Sequence, residues 1–195
     1  MLRKFFEHPL TKGLDINDPY TTYLRRQIIQ EKAFLREIYK EWYFRILKAL
    51  PNCEGPILEI GSGSGFMKEY IPNLTTSEIF DCPGVDLELD ACQRTPFEDK
   101  FFRAIVMTDV FHHLPKPIQF LNEATRILRL NGRIVMIEPW VSSWSRFVYG
   151  KLHHEPFEPE SLTYDLPRNG PLSEANSALP WMIFKRDKEK FENDF

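Results

Sequence analysis

Between Thr21 and Leu50 apolar residues recur every three, four or seven positions: Leu24, Ile28, Leu35, Ile38, Tyr39, Trp42, Tyr43, Ile46, Leu47 and Leu50. Lys, Arg and Glu fill the gaps. This rhythm predicts one long helix, capped by Asp18 or Thr21 and stopped at Pro51, lying as a cover on the main body. From Pro56 the pattern changes. Ile57–Ile60 is a short apolar run followed by glycines, and Phe66–Ile71 predicts a short helix before Pro72. Leu74–Glu78 reads as a second strand. Val85–Asp90 alternates strictly, as a strand near a sheet edge does. Ala104–Thr108 is continuously apolar, the mark of a strand buried on both faces. Ile118, Leu121, Ala124, Ile127 and Leu128 make a helix face, Asn131-Gly132 its C-terminal turn, and Arg133–Glu138 a fifth strand.

Strands alternating with helices predict an α/β fold with a mostly parallel sheet covered on both faces. Such sheets bind ligands beyond the carboxyl ends of their strands. The link between the second and third strands, residues 79–84, is too short for a helix, which leaves one face thinly covered there. After Glu138, Ser142–Leu152 predicts an amphipathic helix. Five prolines between 155 and 181 predict an irregular loop, and Asp187–Asp194 a charged helix. Three segments follow: a helical cover (1–50), a core (51–140) and a C-terminal helix, lid loop and terminal helix (141–195).

Composition narrows the function. Twenty-five Lys and Arg against 28 Asp and Glu leave a net charge of -3, so there is no basic excess for a nucleic-acid partner or an anionic membrane surface. The longest apolar runs are strand length, well short of a membrane span. Three cysteines with no CxxC spacing fit a reducing, cytoplasmic setting and neither a disulfide framework nor structural zinc.

Glu59-Ile60-Gly61-Ser62-Gly63-Ser64-Gly65 joins the first strand to the helix after it. Glycines there permit a tight turn and a close ligand approach, and amides at a helix start favour an anionic group. The dinucleotide pattern G-x-G-x-x-G fails, since Phe66 or Lys68 falls where the third glycine belongs, and no P-loop is present.

The order Glu59-x-Gly61-x-Gly63-x-Gly65, an acid ending strand two, Asp90-Ala91, then Ala104–Pro115 and Ala124–Met136 resembles the class I S-adenosylmethionine-dependent methyltransferases. Within them it is most similar to the type 11 small-molecule group, over about residues 55–140. The resemblance implies a three-layer Rossmann-like sheet of order 3-2-1-4-5 and S-adenosylmethionine as cofactor. It places the methionine end over Gly61, Ser62 and Gly63, with Glu59 near the ammonium and Gly65 in the same cofactor-binding loop. Glu78 is the candidate for the ribose hydroxyls, preferred to Asp86, which is read with Glu88 as a solvated residue of strand three. Asp90 and the Ala91 amide are assigned to the adenine, and Thr108 and Asp109 to the floor beneath the sulfonium.

The acceptor is expected to be a small molecule methylated at oxygen, nitrogen or carbon. The alternative is a binding module without turnover. No obligatory catalytic residue follows, because methyl transfer is a direct displacement; His113 and His154 are candidates for a base. His153-His154-Glu155 matches no metal-ligand spacing, so no metal is expected. Tyr20, Tyr23, Trp42, Tyr43, Trp140, Trp144, Tyr149, His153 and His154 are expected to roof the pocket from both flanks. Two departures stand out. Arg103 replaces a common Asp, and residues after Glu138 do not read as the two further strands usual in the family. Those strands are expected to be missing, leaving an edge open to self-association.

Overall fold

The computed structural model describes residues 10, 12–153, 155–167, 170, 172 and 174–195. Five strands, β1 (Ile57–Ile60), β2 (Leu74–Glu78), β3 (Leu87–Glu88), β4 (Phe102–Thr108) and β5 (Leu128–Ile137), pair in the order β3-β2-β1-β4-β5. Every pairing is parallel. This is the expected Rossmann-like sheet. β1 lies at its centre, so the loop after Ile60 opens at the reversal of strand order.

Pleating divides the strand side chains between two cores. Ile57, Ala104 and Val106 face Ile29, Tyr43, Ile46 and Met67 on one side. Leu58, Ile60, Ile105 and Met107 face Phe120, Leu121, Ala124 and Ile127 on the other, joined by Leu179 and Ile183 from the C-terminal segment. Ile46 is fully buried, so truncating it to Ala is expected to cost about 2–5 kcal/mol.

The cover is two helices, α1 (Pro19–Glu31) and α2 (Ala33–Ala49), where the periodicity predicts one. Lys32 between them is extended (φ -82°, ψ 102°). Neither Gly nor Pro marks this break; packing of both halves against the body overrides local helix propensity. Asp18 caps α1 by accepting the Tyr20 N–H. Both helices lie over the thinly covered face.

Other expectations are corrected in extent. Phe66–Ile71 is only a 3-10 turn, Met67–Glu69, because Pro72 arrives before a second turn can form. The alternating stretch 85–90 pairs only at Leu87–Glu88. Its neighbour Asp86 is more than solvated. The carboxylate accepts the Thr76 N–H and Thr76 hydroxyl at 2.9 Å and holds Lys68 Nζ at 2.6 Å. These side-chain bonds replace further ladder pairing, and the Lys68 contact holds the Asp86 carboxyl below its ordinary range. Helix α3 (Pro117–Ile127) runs straight into β5, so Asn131-Gly132 does not end the helix. Asn131, at φ 63°, instead shapes an irregularity between the Leu128 and Arg133 pairings.

Helix α4 (Ser143–Lys151) is capped by Ser142 and Ser145, which bond reciprocally. Beyond it the chain is irregular until α5 (Leu179–Trp181), which continues as a π-helical turn (Met182–Arg186) before α6 (Lys188–Asp194). Leu179, Met182 and Ile183 are buried, so the end of the predicted loop belongs to the core. Among the described residues no strand pairs with the outer side of β5, and no helix is long and apolar enough to cross a membrane.

Candidate functional site

The β1 end turns sharply at Gly61, whose φ of 70° is a conformation side chains disfavour. A Cβ there would run into Val110. The loop is tied to β2 on both sides: Ser62 N–H donates to the Ser77 carbonyl at 2.9 Å, and Ser77 N–H to Ser62 Oγ at 3.2 Å. Glu78, ending β2, accepts the Gly63 N–H through Oε2 and the Ile79 N–H through Oε1, each at 2.9 Å. A Cβ on Gly63 would lie 2.7 Å from that Oε2. Arg26 of α1 donates to the Gly63 carbonyl at 3.0 Å, and Tyr43 of α2 accepts the Phe66 N–H at 2.9 Å. The cover helices therefore hold the glycine loop directly.

This loop floors a cavity of about 440 Å³, within the range of small-molecule sites. Glu59, Gly61, Gly65, Glu78, Thr108 and Asp109 line it from the ends of three adjacent strands. Ser62 and Gly63 are buried behind the loop and do not line it. Of the expected roof, Tyr43 and His153 reach the wall, whereas Tyr20, Tyr23, Trp140 and Trp144 are exposed. Both flanks nonetheless contribute, through Thr22, Arg25, Ile28 and Tyr39 on one side and Glu155 and Leu172 on the other. Sequence periodicity marks Ile28 and Tyr39 as apolar-face residues but carries no sign that they face a cavity. Among the described residues, Arg25 is the single Arg or Lys of the lining.

Burial dominates the electrostatics of the floor. Glu59 is 4% exposed, and desolvation lifts its pKa to about 7 against the opposing effects of the Ser62 hydrogen bond and Arg26. Glu78 is raised for the same reason, against its two backbone bonds. Asp109 sits at φ 62° with its N–H on the Ile137 carbonyl. The cavity walls desolvate its carboxyl and, despite His112, raise its pKa to about 6. The hydroxyl of Thr108 is buried with no hydrogen-bond partner.

Asp90 and Ala91 lie elsewhere. Asp90 accepts the Cys92 N–H at 2.9 Å and lines a second cavity of about 230 Å³ with Ile79, Pro115, Gly170 and Glu174. His113 stands on the wall of both cavities. Ala91 is packed in the core. His154 lies outside the described residues.

Glu138, just past β5, was missed by the sequence reading. Its Oε1 accepts the Val110 and Phe111 N–H groups at 2.8 and 2.7 Å, and its Oε2 meets His112 Nδ1 at 2.7 Å. An acid ending a parallel strand is the signal that singled out Glu78, and it applied here too. Burial disfavours a charge on His112, but bonds to Glu138 and Glu155 outweigh this and hold its pKa up at about 10. Burial likewise opposes charge on Glu155, yet His112 keeps its carboxyl down at about 2.

A parallel α/β sheet with a glycine turn after its central strand, and acids ending the neighbouring strands, defines a nucleotide-type binding fold. Residues 58–136 match the methyltransferase domain family model. A Thermotoga maritima methyltransferase, named as a possible histamine N-methyltransferase, shares the fold at 23% identity and TM-score 0.52, covering 68% of this chain and 69% of its own. A Methanococcus maripaludis protein assigned as an S-adenosylmethionine-dependent methyltransferase aligns at 17% identity and TM-score 0.50, covering 64% of this chain. The chain spans 66% of that protein's length. At these identities the likeness is one of fold. No curated protein matches the chain in sequence.

Proposed function

We propose that this chain transfers a methyl group from S-adenosylmethionine to a small molecule held in the larger cavity. The carrying observation is that Glu59, Gly61, Glu78, Thr108 and Asp109 converge there from three strand ends. The site fits the donor: the Glu59 and Glu78 carboxylates in the lining suit an ammonium and ribose hydroxyls, and the Thr108 hydroxyl is an orphaned polar atom beside them.

When bound, the donor supplies an electrophilic methyl group on a sulfonium. The residues then divide the binding. Glu59 pairs with the ammonium of the methionine end. Glu78 has a spare lone pair on each oxygen beyond its backbone bonds, which suits two ribose hydroxyls. The smaller cavity, lined by Ile79 and Asp90, would hold the adenine. Arg25 offers a cation for a carboxylate. The acceptor occupies the remaining room between Asp109 and the cover. There the enclosing helices exclude water and fix the line of attack. Where an acceptor must lose a proton, Asp109 is placed to take it.

Calorimetry with S-adenosylhomocysteine, followed by a labelled methyl donor and a panel of small acceptors, tests the proposal. Saturable binding with label transfer is expected. Binding without transfer to any acceptor would favour a module lacking turnover, and no saturable binding would sink the proposal.

A further inference from the structure

At the cavity wall formed by His113 and Glu155, two imidazoles and a carboxylate turn toward one point. His112 is fully buried, and its Nε2 has no hydrogen-bond partner although Oε2 of Glu155 lies 3.3 Å away. His113 brings its Nε2 to 3.6 Å from Oε1 of the same carboxylate. One ligand atom from each of the three residues falls within 4.8 Å of the others.

The opposite nitrogens are already engaged. His112 Nδ1 meets Glu138 Oε2 at 2.7 Å, and His113 Nδ1 meets the Glu174 carbonyl at 2.9 Å. A carbonyl and a carboxylate only accept, so both Nδ1 atoms carry the proton and both Nε2 atoms are turned toward Glu155. Without a metal, His112 is charged and its Nε2 proton lies toward Glu155; a bound cation would displace that proton and take its place between imidazole and carboxylate. Histidines that bind metals are held in this manner, Nδ1–H fixed on a carboxylate or carbonyl and Nε2 presented. Ligand atoms at about 2.0–2.2 Å from a tetrahedral ion are separated by roughly 3.3–3.6 Å; each imidazole stands at such a distance from one Glu155 oxygen, and the wider 4.8 Å limit of the set leaves a small inward adjustment on binding.

We infer that His112, His113 and Glu155 bind a divalent transition-metal ion of the zinc or iron(II) type at the wall of the acceptor space. Two imidazoles and one carboxylate are the donor set such ions accept. They leave coordination positions open toward the cavity, where His113 and Glu155 form the lining. Resting on the methyl-transfer reading, the ion would hold an acceptor through an ionisable oxygen and ease its deprotonation. The metal site itself does not depend on that reading. It also departs from the sequence expectation of no metal. Glu155 lies 42 positions beyond His113, and only the folded lid segment brings them together.

The test uses the whole chain, stripped with chelator, dialysed and titrated with cobalt(II) while its visible spectrum is followed. One equivalent should bind with ligand-field absorption and be displaced by zinc. His113→Ala and Glu155→Gln should each weaken cobalt binding by at least tenfold, with circular dichroism confirming that each variant folds. S-adenosylhomocysteine calorimetry on the same samples separates the two readings. Cobalt binding without S-adenosylhomocysteine binding would overturn the donor assignment and leave the metal site standing. A chain that binds S-adenosylhomocysteine but shows no saturable cobalt spectrum, or binds cobalt undiminished in both variants, overturns the metal site.

Discussion

Glu59→Gln, measured across pH, probes the buried carboxyl under the proposed ammonium site. In the fold the Glu59 pKa stands near 7, against an ordinary 4.5. The folded protein therefore holds this proton more tightly than the unfolded chain does. Its stabilising share is complete below about pH 4.5, drains away as pH rises toward 7, and is gone above that. Two and a half pKa units correspond to about 3 kcal/mol, or roughly 6–12 °C in Tm for a chain of this size. Gln mimics the protonated form and does not titrate. Relative to wild type, the variant should therefore gain about 3 kcal/mol between pH 4.5 and 8 in urea unfolding. Asp109 and Glu78 titrate in both proteins and cancel in the difference. Affinity should move the other way. If the ionised carboxylate pairs with the ammonium, wild-type affinity for S-adenosylhomocysteine should tighten by about tenfold from pH 6 to 8 as ionisation completes, and the variant should stay flat. Parallel stability curves for the two proteins would refute the buried titration. A pH-dependent stability difference with pH-independent binding would refute the ammonium assignment alone.

Glu78→Ala should weaken S-adenosylhomocysteine binding by about 1–3 kcal/mol through loss of charge-assisted bonds, while Asp86→Ala, at the exposed sheet edge, should leave calorimetric affinity within about twofold. The reverse order would mean the ribose assignment is wrong. Gly61→Ala places a side chain at φ 70° and should lower urea stability by about 1–2 kcal/mol from backbone strain alone, with further loss from the Val110 collision; an unchanged midpoint would show that the loop relaxes freely. Hydrogen exchange with S-adenosylhomocysteine should show protection in α1, α2 and residues 153–167 as well as in the sheet. Protection confined to residues 57–111 would remove the flanks from the site.

Much of the core was legible because two strong local signals coincide in it. β1, β2 and β4 combine apolar runs of strand length with breakers at their ends, and the glycine spacing names the turn after β1. Their parallel order follows from alternation with helices and from the family resemblance. What stayed hidden depends on contacts between segments distant in sequence. The break at Lys32 has no Gly or Pro, so its cause is the surface on which α1 and α2 settle. Asp86 looks like a solvated strand residue until Thr76 and Lys68 are brought beside it. Ile28 and Tyr39 sit on an apolar helical rhythm that cannot say whether its face meets core or cavity.

The same reasoning explains why the paired histidines are the least readable part of the site. His112 and His113 are adjacent in sequence, and their rings lie only 4.2 Å apart. What each ring can do is nevertheless set by Glu138, 26 positions after His112, and by Glu155 and Glu174 in the lid segment. Glu138 fixes one ring from the end of β5, the Glu174 carbonyl fixes the other, and Glu155 faces both Nε2 atoms from the cavity side. No sequence spacing rule covers such a set, because the sheet supplies one partner and an irregular segment supplies the rest. The glycine loop is the opposite case. Its function requires consecutive small residues on one turn, so the whole signal is local. The turn at the floor of the cavity was thus written in one short stretch, while the groups around it are assembled from strand ends, cover helices and lid, and become visible only once they are folded together.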